Sequence, residues 1–279
     1  NHHYSRNENR LVFFILGQTN PTDFETNSRL AKLRFDSWVD EDIFIHDNWT
    51  DILSNQLNEF NPNVIFHVGA CSDTLETDVN YMMTRNYEFT RILSDWSKEN
   101  DCKLIYSSSA AVYGTDGKQP ANLYGWSKLL GEDYVINKGG VALRYFHVYG
   151  PKEAHKGKRA SMIHQILEKA KKGETIKLFK DGTQKRDWVF VDDVVRANMI
   201  ASKSKKSGIF NVGSGKSISF NNLIKIIGKE MNKELDVEYI DCPFIDAYQN
   251  YTAVNLRNAS TFGYKPKWQV KEAIRQMIK

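Results

Sequence analysis

Short apolar runs rich in β-branched and aromatic residues alternate along this chain with stretches of helical periodicity, which points to βα units around a parallel sheet. Candidate strands are residues 11–16, 64–68, 103–107, 141–147, 188–191 and Gly208–Val212. The first four read as continuous apolar runs, as expected of strands covered on both faces. Between them Met82, Asn86, Phe89, Leu93 and Trp96 recur at helical spacing, as do Ile163, Ile166, Leu167 and Ala170. Beyond about residue 150, lysines and glycines become denser, and Gly-Pro, Lys-Gly and Asp-Gly steps break up the elements. The expected fold class is α/β: a doubly wound parallel sheet with a smaller C-terminal lobe. Residues 1–150 and about 188–213 are assigned to the sheet, and 151–187 and about 214–279 to the lobe.

Composition narrows the function classes. With 41% hydrophobic and 26% charged residues, the chain matches a folded globular protein and not a disordered one. A net charge of +4, spread along the sequence, favours an anionic small molecule and is too weak to argue for nucleic acid. No apolar run approaches the roughly 20 residues needed to cross a bilayer, so no membrane partner is expected. Cys71, Cys102 and Cys242 are scattered without CxxC spacing, which suggests neither a disulfide framework nor a metal site. The cytoplasm is the expected compartment.

The strongest local signal is SSSAAVYG at 107–114, at a strand end, followed by YGWSK at 124–128. Tyr124 and Lys128, four apart on a helix, share a face. An ammonium beside a phenol stabilises phenolate, so a Tyr pKa below its usual value of about 10 is expected. A serine hydroxyl at the carboxyl edge of the sheet can hold a reacting alcohol or ketone. Together these supply a base, its electrostatic support and a positioning group for hydride chemistry at a carbinol carbon. Taken alone, the Tyr/Lys pair equally fits a packed Tyr and a snorkelling Lys; the serine-rich strand end gives it its force.

In that order, the two strings resemble the active-site segment of extended short-chain dehydrogenases, which include nucleotide-sugar epimerases and dehydratases on Rossmann-like sheets. Further strings resemble one branch, the ADP-L-glycero-D-manno-heptose 6-epimerases: GACSDT at 69–74, ETD at 76–78, YMM at 81–83, RYFHVYGP at 144–151, HKG at 155–157, KRDWVFVDD at 185–193, SGIFNVG at 207–213 and AYQ at 247–249. The resemblance runs from about Arg29 to the C-terminus. It implies that Ser109 positions the reacting oxygen, that Tyr124 is a catalytic acid/base supported by Lys128, and that Lys156 is a second acid/base. It implies an NADP or NAD cofactor lined by Val68, Gly69, Ala70, Cys71, Ser72, Asn86, Lys128 and Val148. It also implies an ADP-sugar or other nucleotide-sugar held by Ser109, His147, Phe179, Lys180, Asp181, Gly182, Arg186 and Tyr248, and a homo-oligomer. Arg offers a diphosphate both charge and a planar donor fork. Without the resemblance, Lys156 would read as one cation of a solvated cluster with Lys152, Lys158 and Arg159.

The pattern fails at the N-terminus. A dinucleotide fold opens with a strand, a glycine-rich turn and a helix N-terminus facing the pyrophosphate, yet residues 1–30 hold a single glycine, Gly17. Residues 11–16 then align with the second strand of such a sheet, and the first strand and glycine loop are missing. A truncated chain and a diverged, cofactor-free relative both account for this, and either predicts weak NAD(P) binding. His147 stands where the family usually has Asn, Arg159 replaces an expected Met, and Gly17 and Gln18 replace the acidic residue that often binds ribose. Three readings remain: a heptose-type epimerase, another nucleotide-sugar epimerase or reductase, and a non-catalytic nucleotide-sugar binding protein.

Overall fold

The computed structural model describes residues 14–17, 37–115, 117–243 and 250–279. Its larger sheet is four-stranded and wholly parallel, in the order Val64–His67, Lys103–Ser109, Val141–Tyr145, Gly208–Val212. Leu104 to Ser108 are buried without a break in strand Lys103–Ser109, as are Val141 to Leu143 in the next, as two covered faces require. Leu104, Tyr106 and Ala142 pack with Phe89, Leu93, Trp96 and Val135, from helices Phe89–Glu99 and Leu123–Asn137. Ile105, Val141 and Leu143 pack with Val194, Ala197 and Ala201 of helix Val191–Lys203. Helices thus cover both faces, and the doubly wound expectation holds. Each large aliphatic side chain buried in this way contributes about 1.5–3 kcal/mol.

Strands Phe14–Gly17 and Ser37–Asp40 pair in parallel, Phe14 opposite Ser37. The reading of a missing first strand and glycine loop concerns sequence outside the described residues.

Residues 141–147, expected as one strand, are two. Val141–Tyr145 stays in the large sheet, whereas His147–Tyr149 pairs with Lys185–Phe190, His147 opposite Trp188. The crossing occurs at Phe146, whose backbone N–H still donates to Val212 O at 3.0 Å. Ser217–Ser219 pairs antiparallel on the other side of Lys185–Phe190, and Val237–Ile240 pairs in parallel with Ile176–Phe179. A second core gathers Tyr149, Ile163, Ile166, Leu167, Trp188, Phe190, Leu223, Ile227, Val270, Ala273 and Ile274. It is contributed chiefly by helices Met162–Lys172, Phe220–Met231 and Val270–Ile278. Strand Lys185–Phe190 lies between the two cores: Trp188 and Phe190 face the second, and Val189 the first. Ala259, Phe262 and Tyr264 also pack on the first core, so the C-terminal stretch serves both.

Candidate active site

Ser109 ends strand Lys103–Ser109, and its Oγ accepts from Ala111 N at 3.1 Å, capping the single 3-10 turn Ala110–Tyr113. Helix Leu123–Asn137 begins close by, with Asn122 Oδ1 accepting from Gly125 N at 2.8 Å. A Cβ on Gly125 would lie 2.8 Å from Ala111 O, so the glycine lets the first helical turn press onto the serine-capped turn. This close approach brings Tyr124 to Ser109. The Ser109 hydroxyl lies close enough to the phenol to favour its ionised form.

Lys128, only 4% exposed, lies one turn on, and its Nζ donates to Ser107 O at 2.8 Å and sits 4.8 Å from the Tyr106 ring centroid. Burial pushes its pKa down to about 7, opposed by the thiol of Cys71. The Tyr124 pKa moves opposite to the sequence expectation. Burial raises it, Ser109 lowers it in part, and Cys71 adds to the rise. Helical spacing places Tyr124 and Lys128 on one face but does not direct the ammonium, which the Ser107 carbonyl captures.

The segment 68–72 follows strand Val64–His67 at the same carboxyl edge. Val68 is 59% exposed, and a Cβ added at Gly69 would meet nothing within 4 Å. Ala70, Cys71 and Ser72 are half-buried or exposed. Asn86, expected to line the cofactor with them, stands behind them, fully buried. Its Oδ1 accepts from Cys71 N at 2.8 Å, and its Nδ2 donates to Cys71 O and to Ser127 Oγ, both at 2.9 Å. It lies in the π-helical turn Thr84–Glu88, a local widening frequent at functional sites. A nicotinamide dinucleotide fits this edge: the backbone at Gly69 is open, and buried Lys128 makes one hydrogen bond among the described residues, which leaves it further donor capacity. Val148 is half-buried on strand His147–Tyr149.

Lys156 is not brought into the Ser109–Tyr124–Lys128 group by any hydrogen bond or ion pair. It lies in the 3-10 segment Ala154–Arg159, 48% exposed, with its Nζ 3.4 Å from Glu153 Oε2. Glu153 is buried and also accepts from Gly150 N, Ser161 N and Ser161 Oγ. Burial raises its pKa, but the Ser161 and Gly150 donors and the Lys156 ammonium outweigh this and hold it below the usual carboxylate value.

Of the other expected substrate residues, His147 and Arg186 lie on the paired strands His147–Tyr149 and Lys185–Phe190, and Phe179 ends strand Ile176–Phe179. His147 Nε2 is buried without a partner among the described residues, and burial plus the Arg186 charge pushes its pKa down to about 3. Arg186 is buried, donates to Lys185 O at 3.0 Å and lies over the Phe220 ring. Phe179 ends its strand and leads into Lys180, Asp181 and Gly182. Gly182 has φ +70° and would place a Cβ 2.2 Å from Asn221 Oδ1, so a side chain there would be strained and would have to displace Asn221. Lys180 and Asp181 line an open groove of about 430 Å³ with Thr183, Gln184, Lys185, Asn250 and Tyr251. Tyr248 lies outside the described residues. Sequence reasoning missed Asn250 and Tyr251, which carry no motif, and Glu132, whose place four residues beyond Lys128 was a legible signal.

Among the described residues, no group of three or more His, Cys, Asp or Glu side chains is placed to hold a metal, and no helix is long and apolar enough to cross a membrane. Residues 14–213 match the model of the NAD dependent epimerase/dehydratase family. The chain belongs to this family. A relative from Brachyspira hyodysenteriae, an ADP-L-glycero-D-manno-heptose-6-epimerase, is 36% identical over 94% of this chain and 88% of its own length. The crystal structure of the Helicobacter pylori ADP-L-glycero-D-manno-heptose-6-epimerase superposes with a TM-score of 0.84 at 28% identity, covering 99% of this chain and 89% of that one. A UDP-N-acetylglucosamine 4-epimerase from Methanobrevibacter ruminantium, solved with UDP-N-acetylmuramic acid, has a TM-score of 0.77 at 26% identity, covering 87% of this chain and 81% of that one.

Proposed function

We propose that this family member is a nucleotide-sugar epimerase of the ADP-glyceromanno-heptose type, inverting the C6 carbinol through transient oxidation by a bound nicotinamide. The observation that carries this reading is the packing of Ser109, Tyr124 and Lys128 into one cluster at the carboxyl edge of a parallel sheet, in a chain 36% identical to a heptose epimerase. NAD or NADP would supply the hydride acceptor and donor, held by Lys128 and the 68–72 segment. Ser109 would fix the reacting oxygen, and Tyr124 would move its proton. Lys156 would serve the opposite face of the ketone. For that, its ammonium must leave Glu153, whose buried carboxylate then keeps its donors Gly150 N, Ser161 N and Ser161 Oγ.

The larger sheet would carry the cofactor. His147, with Phe179–Gly182, Arg186 and Tyr248 of the smaller lobe, would hold the nucleotide-sugar, with Arg186 at the diphosphate. A cytoplasmic site and a lipopolysaccharide-precursor role fit three free cysteines and this substrate class. A homo-oligomer fits the outer face of helix Leu123–Asn137, where Trp126 and Leu130, one turn apart, are 42% and 41% exposed.

The test is incubation with millimolar NADP or NAD and either C6 epimer of ADP-glyceromanno-heptose, with the epimer ratio followed by NMR. The expected result is equilibration from both sides, abolished by Tyr124→Phe and reduced at least 100-fold by Lys156→Met with substrate affinity within a few-fold. Turnover of UDP-sugars but not the ADP-heptose would assign another epimerase. Sugar binding without any turnover would assign a non-catalytic relative.

A further inference from the structure

Helix Leu123–Asn137 continues the Tyr124/Lys128 stripe by one more turn to Glu132, which is fully buried. Its Oε2 accepts from Ser108 Oγ at 2.7 Å and from Arg144 Nε at 2.8 Å, and Arg144 Nη2 donates to Oε1 to complete a two-pronged pair. Ser108 and Arg144 are directly opposite each other on adjacent strands, so one carboxylate ties the catalytic helix to both. The guanidinium of Arg144 lies 4.7 Å from the ring centroid of Tyr113, in the turn that Ser109 caps. The Tyr113 hydroxyl in turn donates to Asn211 Oδ1 at 2.9 Å, on the next strand.

We infer that Glu132 and Arg144 are positioning residues that set the Ser109–Tyr124 geometry: they touch neither sugar nor cofactor, but hold the helix bearing Tyr124 and the turn bearing Ser109 on one rigid frame. A buried ion pair is weak evidence for stability, because apolar replacement of both partners is often neutral or better. What this pair supplies is direction. It joins elements that begin within a residue or two of the two reacting side chains, and a misplacement of about 1 Å at such a site lowers turnover roughly 100-fold. The inference rests on the epimerase reading only for its kinetic arm.

Four variants of the full chain test it at saturating NADP or NAD. Glu132→Gln should lower kcat about 100-fold with KM within about two-fold. Ser108→Ala, which leaves the ion pair whole, should show the same split at about ten-fold. Arg144→Met alone leaves the carboxylate buried without its partner and should melt early. Glu132→Leu combined with Arg144→Met, an apolar replacement of both partners, should regain the melting temperature while kcat stays low. Phenolate absorbance, taken as the difference between each variant and its Tyr124→Phe counterpart, should show Tyr124 ionising at higher pH as the Ser109 contact loosens. Recovery of kcat together with stability in the double variant would overturn the inference, as would Ser108→Ala with unchanged kcat and an unmoved Tyr124 titration. A parent chain that turns over no nucleotide-sugar sinks the epimerase reading alone, and the Tyr124 titration then decides the positioning role.

Discussion

Replacing Asn86 by alanine separates two roles for a residue that the motif pattern places at the cofactor. The side chain makes four hydrogen bonds: one from Cys71 N, one to Cys71 O, one to Ser127 Oγ and a weaker one to the Met82 thioether at 3.0 Å, which adds little to the sum. Each is worth about 1 kcal/mol net, and a buried partner left unsatisfied costs about 1–3 kcal/mol. Cys71 is half-exposed and regains water, and Ser127 Oγ keeps its 2.8 Å bond to Tyr124 O, so the loss should lie near the lower bound, about 3 kcal/mol. For a chain of this size that is a fall in melting temperature of roughly 6–12 °C. Urea denaturation followed by far-UV circular dichroism, without cofactor, measures it directly. Asn86→Asp should be no better, since it removes both donors and sets a carboxylate against the Cys71 carbonyl. If Asn86→Ala stays within about 0.5 kcal/mol of the parent while nicotinamide affinity falls ten-fold, the amide faces the cofactor and the clamp is refuted.

The unfolded chain protonates His67 and His147 near 6.5, but burial holds both native groups down to about 3, so stability should fall as pH drops from 6.5 toward 3. At pH 5 the loss is roughly 2 kcal/mol per histidine; His147→Asn should remove its share, and an unchanged slope would contradict the assignment. Gly182→Ala, at φ +70° against Asn221, should destabilise the groove by about 1–3 kcal/mol and raise KM for the nucleotide-sugar; a neutral substitution would mean the loop relaxes freely. Residues 1–279, lacking a glycine-rich loop within 1–30, should bind NAD(P) orders of magnitude more weakly than a chain with one, and tightly retained cofactor after purification would contradict this. Trp126→Glu with Leu130→Lys should dissociate the expected oligomer in sedimentation, and an unchanged mass would exclude that face.

The sheet was legible because its strands are covered on both sides, which leaves near-continuous apolar runs at 64–68 and 103–107. Where an apolar run continues across a change of sheet, the signal misleads: nothing in the sequence marks Phe146 as the crossing between Tyr145 and His147. The short pairing strand Ser217–Ser219 escaped because three half-buried residues carry no periodicity. At the site, spacing placed Ser109, Tyr124 and Lys128 together, since the helix and strand carrying them were themselves readable. It could not give the direction of the Tyr124 pKa, which depends on where Lys128 Nζ points and how deeply the phenol is buried. Nor could it show Asn86 turned inward, because a π-helical turn leaves the apolar spacing around it intact.

The second core is assembled from residues far apart in the chain, from Tyr149 to Ile274. At a synthesis rate of about 5–20 residues per second, roughly 6–25 s separate the emergence of its first and last members. The larger sheet's strands are all present once Val212 has emerged, while the lobe still lacks Val270, Ala273 and Ile274. During that interval Trp188, Phe190 and Leu223 are exposed with no final helix to cover them. The nascent chain therefore passes through a stage in which the four-stranded sheet has all its strands but lacks Ala259, Phe262 and Tyr264 on one face, while the second core lies open and sticky. Chaperone dependence should map to the C-terminal stretch from Ala259 to Ile274, which completes both cores, and a stalled or prematurely terminated product should aggregate through the open second core.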